Sequence, residues 1–96
     1  LFRDKNTAEF PDAVTSRGSK HLLTLIDAIK KGYKSYLLFL VQIQNMDYFK
    51  IAKDIDPEYY KNYLSAKKAG VSILAYRCDI SSKRIFIDKK LKIIDV

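Results

Sequence analysis

Apolar residues recur at helical spacing between Thr15 and Gly32. Leu22, Leu25, Ile26 and Ile29 fall on one stripe, which predicts a helix buried along one face. Thr15 or Ser16 can cap its start. Lys30 and Lys31 complement the negative end of its dipole, and Gly32 supplies a left-handed residue to stop it. Gly18 in the first turn costs helix stability, but its missing side chain would let another backbone or a ligand come close. The pattern then changes. Tyr33 to Ile43 (YKSYLLFLVQI) has a near-continuous apolar centre and predicts a strand buried on both faces. Gln44 to Ile55 mixes polar and aromatic residues and reads as a connection. Asp56-Pro57-Glu58 offers an N-cap, a first-position proline and an acid in the first turn, so a second helix runs to about Ala69 and closes at Gly70. Its expected inward stripe is Tyr60, Tyr63, Leu64 and Lys67, the lysine laying its stem over apolar surface.

Val71 to Ile80 (VSILAYRCDI) predicts a second long strand. Strand, helix and strand over this length make a βαβ unit, whose two strands lie parallel through a right-handed crossover. After Ser81-Ser82, RIFID and LKIIDV are short alternating stretches that form a hairpin or edge strands around Lys89-Lys90. Residues 1–14 read as irregular, because Pro11 forbids a central strand or a helix interior. The fold class is therefore α/β, a mixed sheet with a βαβ unit and flanking helices.

The 96 residues make one domain at most. Hydrophobic residues at 48% and charged residues at 30% argue against disorder. The longest apolar run, Tyr36 to Val41, is far too short to cross a bilayer. Arg3, Asp4 and Lys5 stand where a secretory leader would be apolar, and the chain begins at Leu1 rather than methionine, as a processed product or a fragment would. Cys78 is the only cysteine, so no intrachain disulfide can form, which fits a reducing cytoplasm. In its apolar strand it reads as a small packing residue. Net charge is +7, from 18 basic and 11 acidic residues, and such a surplus suits a polyanionic partner. Fourteen of the 18 are lysine, though, and a lysine- and isoleucine-rich composition also follows from genome base composition. Arginine would point to phosphate more directly.

Several chemistries are excluded. Gly18, Gly32 and Gly70 are too far apart for a phosphate-cradling loop. One histidine and one cysteine cannot supply a zinc site, and nothing positions His21 and Cys78 together as a catalytic pair. Phe10 to Leu22 (FPDAVTSRGSKHL) is different. It gathers Asp12, Thr15, Arg17, Lys20 and His21 about a helix N-terminus, where free N–H groups and the dipole favour an anion. Arg17 and His21 share a face, with Lys20 adjacent. Alternatively, Asp12 and Thr15 cap the helix while Arg17, Lys20 and His21 form its wet side.

FPDAVTSRGSKHL resembles the segment Phe-Pro-Asp-Ala-x-Thr-x-Arg-Gly-x-Lys-His-Leu of the sugar fermentation stimulation protein A (SfsA) family of DNA-binding, nuclease-like proteins. LLFLVQ at Leu37 to Gln42, IDPEY at Ile55 to Tyr59 and AGVSILAY at Ala69 to Tyr76 fit the same family, so the resemblance spans essentially the whole chain. It implies the C-terminal portion of a PD-(D/E)xK nuclease-like core over residues 1–96. The family's N-terminal OB-like domain, and the Glu-x-Lys strand that would hold metal and activate water, would lie before Leu1. The chain alone would then hold no catalytic residue and no metal ligand, while the intact protein could use Mg or Mn. Pro11-Asp12 follows that strand in family order and is not the "PD" of the nuclease name. Asp88-Lys89-Lys90 is a chance match. The resemblance makes Arg17, Lys20 and His21 the expected nucleic-acid contacts, with Asp12 and Gln42 facing the same cleft. It implies DNA as the partner, no membrane association, and a role in regulating sugar-metabolism genes. The alternatives are part of a metal-dependent DNA nuclease, or a structural half-domain whose motif residues cap and cross-link the fold.

Overall fold

The computed structural model describes residues 3, 5–42, 45–81 and 84–94. Over these the chain forms β1 (Thr7–Phe10), α1 (Ser16–Lys30), β2 (Tyr36–Val41), β3 (Tyr48–Ile51), α2 (Pro57–Ala69), β4 (Ser72–Ser81), β5 (Arg84–Lys90) and β6 (Lys92–Ile93). The expected strand end at Ile43, the turn at Ser82 and the chain end at Asp95-Val96 lie outside the described residues. No helix among the described residues is long and apolar enough to cross a membrane.

Two compact units divide these elements. One comprises Pro11–Leu37 and Ala52–Ile73 and is built on α1 packed against α2. Thr15 is the N-cap of α1, its Oγ1 accepting the Gly18 N–H at 3.0 Å. At the other end Gly32 adopts φ 91°, and the Tyr33 N–H turns back to the Ala28 carbonyl at 3.0 Å, which closes the helix as expected. Leu22 is fully buried, with Leu25, Ile26 and Ile29 half-buried beside it. Asp56 caps α2, Pro57 opens it, and Gly70 ends it in the left-handed region at φ 108°. The two helices run in the same direction. Asp56 accepts the Thr15 N–H at 2.8 Å at one end, and at the other a Cβ on Gly70 would lie 4.0 Å from Ile29 Cγ2.

The inward face of α2 is not the expected stripe. Tyr59, Tyr60, Tyr63 and Ala66 are buried, whereas Leu64 and Lys67 are exposed. Successive residues are about 100° apart around a helix, so seating Tyr59 against α1 turns Leu64 outward.

The other unit comprises Leu1–Phe10, Leu38–Ile51 and Leu74–Val96. It corrects the sequence reading in two places, since β1 lies in the stretch read as irregular and β3 in the stretch read as a connection. They pair in parallel, from Thr7 opposite Tyr48 to Phe10 opposite Ile51, and β6 adds to β3 in parallel, giving the order β1-β3-β6. Strands of two to four residues, paired across long sequence separation, show too little alternation to be read locally. β5 pairs antiparallel with β4, with a register shift between Arg77 and Cys78. Of the two arrangements expected for RIFID and LKIIDV, edge strands and not a hairpin is the one found, β5 and β6 each being the outer strand of its sheet. They part at buried Leu91, whose N–H donates to the Ala75 carbonyl at 2.8 Å.

The expected βαβ relation holds. β2 and β4 are neighbours in the sheet β2-β4-β5, and the Ser72 N–H donates to the Ser35 carbonyl at 3.0 Å, so both strands start side by side and run the same way. β2 is buried on one face only. Leu37 and Val41 point inward with Phe39, while Tyr36, Leu38 and Leu40 are exposed, so an apolar run did not mean two covered faces here. Phe39 stacks on Phe49 with ring centroids 4.4 Å apart and meets Phe10 at 5.5 Å. Cys78 is buried, in keeping with a packing role. Glu9 of β1 is buried, its side chain 0% exposed, and receives a guanidinium fork from Arg3, the Nε at 3.0 Å.

Candidate nucleic-acid interface

The FPDAVTSRGSKHL segment divides its residues between framework and surface. Pro11 is among the largest fully buried side chains, and Ser19 and Leu22 are buried. Gly18 is there for space: a Cβ would lie 2.9 Å from Thr15 Cγ2 and 3.0 Å from Tyr59 Cε2. The close neighbour that glycine allows is thus an aromatic ring of α2, rather than a ligand. Burial pushes the Tyr59 hydroxyl up to about 12, assisted by the neighbouring Tyr63 and Asp56, so a neutral phenol packs against the helix start.

Part of the backbone at this helix start is bound within the protein. Asp56 is buried, and its carboxylate spans both helix starts, taking Thr15 N–H on Oδ2 at 2.8 Å and Tyr59 N–H on Oδ1 at 3.0 Å. The N–H of Thr15, then that of Tyr59, hold its pKa below the usual carboxylate value. Thr15 Oγ1 and the Thr15 carbonyl take the N–H groups of Gly18 and Ser19. The protein's own aspartate therefore stands beside the start of α1, bound to the N–H of its capping residue. Asp56 was legible as the cap of its own helix. That it also anchors the distant motif was not, since no local pattern encodes a contact between positions 15 and 56.

Arg17, Lys20 and His21 are all exposed. Arg17 and His21 lie one turn apart, with Lys20 beside His21 and exposed Thr24 continuing the face, its Oγ1 donating to the Lys20 carbonyl at 3.1 Å. The first turn of α1 contains no acid. Arg17 in the first turn is unfavourably placed for the dipole, so helix stability does not account for it, and Lys20 and His21 follow it in the second turn. Asp12 is exposed in the bend before the helix. Gln42 is exposed just after β2 and belongs to the strand unit. Among the described residues no three His, Cys, Asp or Glu side chains gather to hold a metal ion.

The model of the family described as "Sugar fermentation stimulation protein RE domain" matches residues 1–84. The chain is 76% identical over 95 residues to a sugar fermentation stimulation protein homolog of Pelagibacter ubique, covering 99% of the chain and 41% of that protein. It is 40% identical over 91 residues to the homolog of Maricaulis maris, covering 95% of the chain and 39% of that protein. The chain thus spans about two-fifths of the length of these relatives. A solved structure of Pyrococcus furiosus SfsA in complex with Ca2+ superposes with a TM-score of 0.89 at 27% identity, over 99% of this chain and 42% of that one. That match carries the expected nuclease-like α/β fold. On the motif, the fold and these matches together, the chain belongs to the sugar fermentation stimulation protein (SfsA) family.

Proposed function

We propose that this chain supplies a DNA-binding surface centred on Arg17, Lys20 and His21 at the start of α1. The observation that carries this reading is the exposed basic face over the first two turns of α1, with Arg17 in a first turn that has no acid and where a cation is least favoured. Thr15 caps the Gly18 N–H there, and the exposed side chains carry the charge to a phosphate. Such contacts position a duplex without reading its sequence. This reading goes with a cytoplasmic location and with regulation of sugar-metabolism genes. The test is titration of duplex DNA with the intact protein and its Arg17→Ala/Lys20→Ala/His21→Ala variant. The variant should lose at least tenfold in affinity at low salt and keep its fold; equal affinity would sink the reading.

The second reading is a metal-dependent DNA nuclease, favoured by the Ca2+ bound to the Pyrococcus protein. The described residues do not themselves fit a divalent-cation site. Under this reading Mg or Mn would take ligands from elsewhere in the longer protein, and the 96-residue chain alone would not cleave plasmid DNA.

A further inference from the structure

The far end of the helix pair holds a second basic surface with different chemistry. Within the helical unit, the closing turn of α1 brings the Tyr33 N–H onto the Ala28 carbonyl, and the Ser72 N–H reaches the Ser35 carbonyl at 3.0 Å. Gly70 at the end of α2 faces Ile29. These contacts gather segments 27–36 and 66–72 in one place. Together they hold five lysines and one acid, Asp27, which pairs with Lys31 at 2.8 Å. A net +4 of the chain's +7 therefore sits here.

Lysines in last turns also complement helix dipoles, so Lys30 and Lys68 have a structural reason to be there. Two features lack one. Lys34 lies outside either helix and is exposed. Tyr33 and Tyr36 present large aromatic side chains to solvent at 68% and 58% exposure. Exposed rings among cations can stack on unpaired bases while the lysines meet the backbone phosphates. A duplex, whose bases are already stacked, offers the rings nothing comparable.

We propose that Tyr33 and Tyr36, with Lys30, Lys34 and Lys68, form a binding surface for single-stranded nucleic acid, separate from the Arg17 face. The probe is a fluorescent oligodeoxythymidine, titrated against the intact protein in parallel with a duplex of equal length. Tyr33→Ala/Tyr36→Ala should weaken the single-stranded probe roughly tenfold or more, leave duplex affinity within about twofold, and leave the melting temperature unchanged. Tyr33→Phe/Tyr36→Phe keeps the rings and should restore binding. Lys34→Gln should lower the salt slope on the single strand by roughly 0.7. The proposal is overturned by unchanged oligodeoxythymidine affinity in the alanine variant, by an equal loss on duplex, or by failure of the phenylalanine variant to rescue. The single-strand arm reads out whether or not duplex DNA engages Arg17, so the two proposals can fail separately.

Discussion

The two ends of α1 are both basic, but for opposite physical reasons. At the C-terminal end, Lys30 and Lys31 sit where the helix dipole is negative, and Lys67 and Lys68 do the same for the parallel α2. Those charges stabilise what they stand on. At the N-terminal end, Arg17 stands in the first turn near the positive pole with Lys20 and His21 one turn on, while buried Asp56 takes the N–H of Thr15 and that of Tyr59. Charge with a stabilising role says little about a partner. Charge held against the dipole needs another reason, and the polyanion proposed above is one. At the C-terminal end the equivalent signal comes from the exposed tyrosines.

The largest effect should come from removing the support under the N-terminal end. Asp56→Ala removes the cap of α2, worth about 1 kcal/mol, and the acceptor of the part-buried Thr15 N–H bond, worth about 1 kcal/mol more, so the melting temperature should fall by roughly 10 °C. Because the folded carboxyl titrates below its ordinary 3.8, its contribution is present above that value and is lost as pH falls through the depressed one. Asp56→Asn should remove that part of the acid dependence. An Asp56→Ala protein as stable as the original would mean that the two helix starts are not held together in this way.

Gly18→Ala sharpens the same point. Alanine is the better helix former by about 1 kcal/mol, yet its methyl would press on Tyr59 and the Thr15 cap. A net loss of about 1–2 kcal/mol is expected from overpacking, read by urea denaturation. Stabilisation would show that the glycine serves something other than fit. Tyr59 gives a matching alkaline signature. Since its phenol is raised to about 12 in the fold, that stabilisation is intact below pH 10 and is lost as pH rises through 12. Tyr59→Phe should flatten this part of the curve.

The helical unit was readable because its determinants are local. Thr15, Gly32, Asp56-Pro57 and Gly70 punctuate the chain where the helices begin and end, and the motif's residues appear on the helix where they were expected. The strand unit was less readable. β1 and β3 acquire their meaning only from each other, and buried Glu9 makes sense only beside Arg3. Arg17, Lys20 and His21 lie on one exposed helix face, as their type and spacing predict. The bond from Thr15 to Asp56 was not legible, since Asp56 comes from another segment.

A smaller effect separates the two ends directly. Lys30→Ala should cost about 0.3 kcal/mol by removing a favourable dipole partner. Arg17→Ala should cost nothing, or stabilise slightly, for the opposite reason. Differential denaturation of the two variants measures this, and a reversal of the order would undo the comparison.

The central claim is that Arg17 meets a DNA phosphate, and the salt dependence of duplex affinity measures it most directly. In the intact protein, Arg17→Ala should reduce the slope of log affinity against log salt by roughly 0.9, with stability changed by no more than about 0.5 kcal/mol. An unchanged slope together with a melting temperature several degrees lower would contradict the account, and would make Arg17 a structural residue of the helix pair.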